Sequence, residues 1–584
     1  MKKWLILPLI LAGLMVFLIV YLKQPEGKAK MTEASAEGAA ELKRMTAEYI
    51  RDNRVDVRVE GKSLSLFNYP VLADSELNIY CPERFLEDIM GCSLLRYPGG
   101  RLLLLRNGKE LEIDANSGEV YSGERSFSLT APVMMSVDGE FYLPVEALLP
   151  DLGYEEEYVY RDNAVLFRNV DGGNTLPARF DLRDYGRVTP VRDQGVSGTC
   201  WAFAALGSLE TSLLPFEEEV FSVDHLTHHN SYALEESAGG DYAISISYLA
   251  AWMGPVLEKD DPYGDGESPS NRKAACHLEE AVIMNSRDDE VIKEAVYKYG
   301  GVETSLYVEM TYSGQASEYY NGESSAYYYN GLEKPNHDLV VVGWDDSFPK
   351  ESFSIRPSRD GAFICRNSWG SRFGDGGYFY VSYDDVNICQ NAIVYSRLGS
   401  ADNFDHIYQA DYLGWVGQMG FGKESAYFAN VFKAQGEEDL AAVSFYATGP
   451  DTSFSVYVVH DFKDADSLKN RKWILDGQTR YSGYYTVRFP EREALQKGER
   501  YAVVVSINTP GSDRPIAIEC NSGDMTHGMT TADGEGYMSL YGQVWHRAEN
   551  TPCNICLKAF TWNRGSGEAE EAGMESTAGQ DEDE

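Results

Sequence analysis

Three segments of the chain hold side chains that together could attack and cleave an amide. In QGVSGTCWAFAALGSLE a glycine-containing turn leads into an apolar run with helical spacing, which places Cys200 in the first turn of a helix and Gln194 just upstream of it. Unpaired N–H groups and the helix dipole favour an anion there, so a thiol with an ordinary pKa of about 8.5 is expected to ionise near neutral pH. A thiolate attacking a carbonyl carbon creates an oxyanion, for which the Gln194 side-chain amide and the Cys200 backbone N–H would supply two donors. Downstream, PNHDLVVVGWDD puts His337 at the head of a β-run, and GAFICRNSWG puts Asn367 at the end of another, followed by Trp369. An imidazole can pair with the thiolate and later protonate a leaving amine, while an amide oxygen on its other ring nitrogen fixes the tautomer. Cys200, His337 and Asn367 fit those roles.

In chain order and separation, QGxSGxCWAFA, NHxxxxVGW and NSWGxxxGxxGYFYVSY resemble the papain family of cysteine peptidases. The likeness runs from LPARFDLRD to about Tyr395 and includes VIKEAVYKYGGVETSLYV. It implies a two-lobe α+β fold, one lobe helical and one a β-barrel, and needs neither metal nor organic cofactor. It also implies Cys200 as nucleophile, Gln194 with the Cys200 N–H as oxyanion hole, His337 as acid and base, Asn367 as its orienting group and Trp369 as a shield from water. This chain departs from the family in three places. Ser197 and Ser237 stand where members usually carry a disulfide pair, Asp338 replaces an alanine after the base and is expected to raise its pKa, and no helical inhibitory propeptide precedes Leu176.

The elements that must position these residues sit in a longer chain. At 584 residues it exceeds a single hydrophobic core, so several domains are expected. YCPERFLEDIMG (Tyr80 to Gly91) matches YLPVEALLPDLG (Tyr142 to Gly153) at a constant offset of 62, and LLLL at 102–105 matches AVLF at 164–167 at the same offset. Each copy predicts a short proline-started helix ending at glycine, then a β-hairpin. The pair resembles the stalk domain named from copper amine oxidases, here without a copper ligand set. After the peptidase-like part, runs such as FSVYVVH, YYTVRF and RYAVVVSIN predict an all-β sandwich, and FANVFKAQGEEDLAAVSFYATG resembles the lectin-like domain of bacterial surface papain-like enzymes. The expected divisions are 1–22 as membrane anchor or signal segment, 23–62 as linker, 63–170 as a small α+β repeat domain, 174–398 as peptidase, 402–564 as lectin-like domain and 565–584 as an acidic disordered tail.

The segment from Trp4 to Leu22 is uncharged and apolar, follows Lys2 and Lys3, and at about 1.5 Å per residue nearly spans a bilayer core. Export is the expectation. The length of the run favours a retained surface anchor, and cleavage would give a secreted protein. A formal net charge of −40 repels nucleic acid and anionic membrane surfaces. The nine cysteines are too scattered for a disulfide framework, and their odd number leaves at least one thiol unpaired. His225, His228 and His229 lack a fourth ligand for zinc and read as a solvated helix end, Cys553 and Cys556 lack a second pair, and DDPYGDGE reads as a plain turn. The expected partners are protein or peptide substrates, cell-wall or surface-layer components, and the membrane through the N-terminal segment. The leading function is an extracellular cysteine endopeptidase. The alternatives are a surface adhesin or wall-binding scaffold with a weak peptidase unit, and amide or transpeptide chemistry on the cell wall.

Overall fold

The structure is a computed structural model that describes residues 42–564, apart from 65–68, 124, 137–138, 174, 234–237, 286, 310–316 and 532–533. The expected anchor at 1–22, the acidic tail and Ser237 lie outside the described residues. No helix among the described residues is long and apolar enough to cross a membrane.

The 62-residue repeat is visible in the backbone. Strand Ile79–Pro82 is followed by a short π-helix at Phe85–Ile89, a left-handed Gly91 and the hairpin Ser93–Tyr97 with Arg101–Arg106. Strand Phe141–Pro144 is followed by helix Leu149–Leu152, a left-handed Gly153 and the hairpin Tyr154–Val159 with Ala164–Asn169. The two leading strands pair antiparallel with Cys81 opposite Leu143, so each copy meets its own image across a local two-fold. The buried Arg106 closes this arrangement: its guanidinium donates to Met90 O at 2.7 Å and to Leu152 O, the equivalent carbonyls at the ends of the two helices. One expectation is corrected here. Pro82 and Pro144 end strands rather than start helices, because a proline has no N–H to carry the ladder onward; it is Pro150 that sits in the first turn of the second helix.

The catalytic part is built around the helix Cys200–Leu213. Residues 201–211 are all buried, the polar Ser208, Glu210 and Thr211 among them, so this helix is covered on every side and lies between two cores. On one side Trp201, Leu206 and Leu209 pack with residues of the helices Val223–His229 and Tyr242–Ala250. On the other, Ala204 joins a core formed by the strands Val302–Leu306, His337–Asp345, Ala362–Arg366, Tyr378–Ser382 and Ala392–Ser400 with the helix Asp289–Tyr299. These strands pair antiparallel with one another, and Tyr378–Ser382 also pairs parallel with the short strand Ala326–Tyr327. Leu95, Leu103 and Leu105 of the first repeat hairpin belong to the same core, so the repeat region and the catalytic sheet exclude water together.

The sheet does not stop at the catalytic part. Strand Cys276–Met284 pairs with Ala392–Ser400 on one edge and with Ser482–Leu495 on the other, carrying one continuous ladder into the C-terminal β structure. There Ser482–Leu495, Glu438–Ala447 and Leu557–Asn563 face a second sheet whose centre is Thr452–Val459, Arg500–Asn508 and Ser425–Lys433, with a shared apolar core between them. Charged pairs seal the junction of the three regions: Arg84 meets Glu280 at 2.6 Å, and Arg488 meets Glu279 at 2.5 Å. The strand crossing depends on Gly483. Its φ is +147°, and a Cβ there would lie 2.1 Å from the Ala281 carbonyl oxygen. Gly483→Val should therefore destabilise the protein by about 3 kcal/mol or more and open the region between the two β structures to protease. Thermal unfolding with limited proteolysis checks this, and an unchanged melting curve and digestion pattern would contradict it.

Candidate active site

The His337 strand and the strand Ala362–Arg366 are neighbours, with Val340 opposite Arg366 in the ladder. This register brings the residue at the start of one strand beside the residue just past the end of the other. His337 Nε2 lies 2.8 Å from Asn367 Oδ1. That oxygen also accepts the Ser368 backbone N–H at 2.8 Å. A backbone amide can only donate, so the side-chain atom is the oxygen, Nε2 carries the ring proton and Nδ1 keeps its lone pair. The Trp369 ring covers this pair, with its centroid 4.9 Å from that of His337. His337 is 6% exposed and Asn367 3%.

Gln194 is tied to the same strand end through Ser368, a residue inside the NSWG motif to which the sequence reading gave no role. Ser368 Oγ donates to Gln194 Oε1 at 2.6 Å, and Gln194 N donates to Ser368 O at 2.8 Å. Gln194 Nε2 spends one N–H on Ser197 O at 2.8 Å and retains a second. Cys200 is the first residue of its helix, with Thr199 as N-cap. Backbone N–H groups of Asp338, Trp201 and Cys200 itself reach its sulfur, which places the thiol against the start of the His337 strand. The five residues singled out by type and spacing are thus brought to one place.

Burial acts against the ionisation that the helix terminus favours. Burial pushes the Cys200 thiol up to about 11, with the Asp338 carboxylate adding to the rise and the three backbone donors opposing it. Burial pushes His337 down to about 4 against the stabilising bond to Asn367. In both groups burial is the larger influence and the hydrogen bonds oppose it. Asp338 is itself raised to about 6 by burial, with a hydrogen bond to Ser305 opposing and Asp241 adding. Its charge acts on the nucleophile rather than on the base, as had been expected, because it is the sulfur that approaches the Asp338 backbone.

The remaining candidates do not join this site. His225 is buried, not solvated as expected, and its Nδ1 lies 2.7 Å from Tyr248 Oη, while His229 Nε2 lies 2.8 Å from Ser268 O. Among the described residues no cluster of three or more His, Cys, Asp or Glu side chains is arranged to hold a metal. All nine cysteines are free thiols; Cys553 faces Ala548 O at 3.4 Å and Cys556 faces Gly414 O at 3.2 Å.

Residues 176–396 match the model of the papain family cysteine proteases, and residues 407–561 match that of the lectin-like domain. Falcipain-3 of Plasmodium falciparum is 27% identical over 249 residues, covering 41% of this chain and 48% of that protein. Cathepsin S of Bos taurus is 28% identical over 236 residues, covering 38% and 66%. The chain therefore spans less than two thirds of the length of these relatives. Among solved structures, the cysteine protease and lectin-like domains of Cwp84, a surface layer associated protein of Clostridium difficile, align at a TM-score of 0.59 and 25% identity over 67% of this chain and 89% of that one. The clostridial Cwp84 protease after propeptide cleavage aligns at the same TM-score and identity over 66% and 99%. Residues 176–396 are thus a papain-family cysteine peptidase domain, followed at residues 407–561 by a lectin-like domain.

Proposed function

We propose that the protein is an exported endopeptidase that cleaves surface or secreted proteins through a thioester on Cys200. The observation that carries this reading is the buried 2.8 Å bond between His337 Nε2 and Asn367 Oδ1, at the strand end against which the Cys200 sulfur is placed. With Nε2 protonated and held by Asn367, Nδ1 is the ring atom left to take the thiol proton. As Cys200 Sγ bonds to the substrate carbonyl carbon, its proton passes to His337, and the carbonyl π-electrons move onto oxygen. The Cys200 N–H and the second N–H of Gln194 Nε2 stabilise that oxyanion. Collapse expels the amine, which takes the proton from His337 and leaves a thioester; water, deprotonated by the same ring, then releases the acid and restores the thiol. Each proton transfer onto the ring creates an imidazolium beside a sulfur anion or oxyanion, and their attraction in a dry site offsets much of the burial of both groups.

The two-lobe papain-like arrangement accounts for the helix lying between two cores. Residues 63–170 are read as a stalk-like module, 174–398 as the catalytic unit and 402–564 as the lectin-like unit. An extracellular location is supported by the apolar segment at Trp4 to Leu22 and by the likeness to a surface-layer associated protease. Surface or wall components are accordingly the expected targets.

On a casein substrate, Cys200→Ala should abolish hydrolysis and Asn367→Ala should lower kcat by roughly 10- to 1,000-fold while the protein stays folded. Equal hydrolysis by the wild type and Cys200→Ala would refute the reading. Because an ionised Asp338 disfavours the thiolate, removing its charge lowers the thiol pKa. Asp338→Asn should thus speed alkylation of Cys200 by iodoacetamide at pH 8 by roughly two- to tenfold. A pH–rate profile identical to that of the wild type would contradict the charge placement.

A further inference from the structure

The two oxyanion donors sit at opposite ends of a loop that has no regular structure. Between Gln194 and Thr199 run Gly195, Val196, Ser197 and Gly198, with Gly195 at φ +63° and Val196 98% exposed. A loop of this kind does not by itself hold its two ends at the separation an oxyanion requires, where donors must converge to about 2.7–3.1 Å from one point. Ser368 fixes one face of Gln194, through its N–H and its Oε1. A second brace comes from a segment that the sequence reading left as a plain turn. Tyr263 Oη donates to the Gln194 backbone carbonyl at 2.9 Å and lies 2.8 Å from Thr199 Oγ1. Since a carbonyl only accepts, the tyrosine proton is committed to Gln194, and Thr199 must donate to Tyr263. One phenol oxygen therefore links the residue that carries the side-chain donor to the residue immediately before the nucleophile.

The phenol is itself held in place. Its ring packs edge-on against Phe203, with centroids 4.9 Å apart, and its backbone N–H donates to Glu258 Oε1 at 3.0 Å. Glu258 Oε2 is paired with Arg192 Nη1 at 3.2 Å, two residues before Gln194. The next N–H, of Gly264, donates to Asp224 Oδ2 at 2.7 Å. Thr199 is fully buried, so its hydroxyl has no water to turn to if the phenol is lost.

We propose that Tyr263 is a positioning residue of the oxyanion hole, setting the separation of the Gln194 and Cys200 donors without touching substrate. The inference rests on the peptidase reading above. It separates two kinds of reaction at the same sulfur. Alkylation by iodoacetamide forms an S–C bond with loss of iodide and creates no oxyanion. Addition of a peptide aldehyde forms an S–C bond and places negative charge on the aldehyde oxygen, which then takes the thiol proton to give a hemithioacetal. Only the second needs the two donors aligned.

In the full chain, Tyr263→Phe should lower kcat on a peptide substrate roughly tenfold with KM changed less than twofold, and weaken peptide-aldehyde inhibition roughly tenfold. The iodoacetamide rate at Cys200 should stay at the wild-type value, while the melting temperature falls by a few degrees because the buried Thr199 hydroxyl loses its partner. Thr199→Val, which cuts the same link from its other end, should show a smaller loss of the same pattern. A Tyr263→Phe protein with unchanged kcat and aldehyde affinity overturns the assignment, and so does one whose alkylation rate falls in parallel with kcat, which would mark a general structural role. A wild type that neither hydrolyses peptides nor is alkylated at Cys200 removes the peptidase reading and this inference with it.

Discussion

Glu210 is fully buried on the helix that begins at Cys200, and its carboxylate joins three parts of the site that are far apart in sequence. Oε1 accepts from Arg192 Nη2 at 3.0 Å and from the Phe221 backbone N–H at 3.1 Å, while Oε2 accepts from Thr189 and lies 3.8 Å from Arg366 Nη1. Arg192 stands two residues before Gln194, and Arg366 immediately before Asn367. The helix of Cys200, the segment of Gln194 and the strand that leads to Asn367 are thereby held by one group of charges centred on the buried Glu210. Removing one partner from such a group costs about 3–5 kcal/mol, because the others remain buried and unpaired. The helix makes room for the arrangement at Gly207, where an added Cβ would sit 3.1 Å from Arg366 Nη1.

This scaffold has an electrostatic consequence. Packing the helix between two cores buries the reacting sulfur and the imidazole together, and burial favours the neutral form of both. The hydrogen-bond donors that favour an anion are already in place: backbone N–H groups at Cys200, and Gln194 braced by Ser368 and Tyr263. Asp338 works against the thiolate and pulls the balance further toward the resting thiol.

The reacting residues were legible in the sequence because each carries a local signature: a cysteine opening an apolar helix, a histidine heading a strand, an asparagine ending one. The repeat was legible because a constant offset survives in the folded pairing of Cys81 with Leu143. Interactions that depend on contacts between distant segments were not legible. Tyr263 lies in a turn rich in Asp and Gly, and nothing in DDPYGDGE indicates that one of its side chains reaches back to Gln194 and Thr199. Ser368 stood within a recognised motif, yet its tie to Gln194 spans 174 positions. The helix terminus at Cys200 was legible but the burial that opposes it was not, since burial is set by partners the sequence does not locate. The ladder linking Cys276–Met284 to Ser482–Leu495 escaped notice for the same reason.

The central claim is that one sulfur in this chain is an activated nucleophile because of where the fold puts it. Incubating the folded full-length protein with a peptidyl epoxide, then mapping adducts by mass spectrometry, tests this directly. The account predicts a single covalent adduct on Cys200 and none on the other cysteines, lost when the protein is unfolded before exposure. An unmodified Cys200 in the folded protein, or adducts spread among the other thiols, would contradict it.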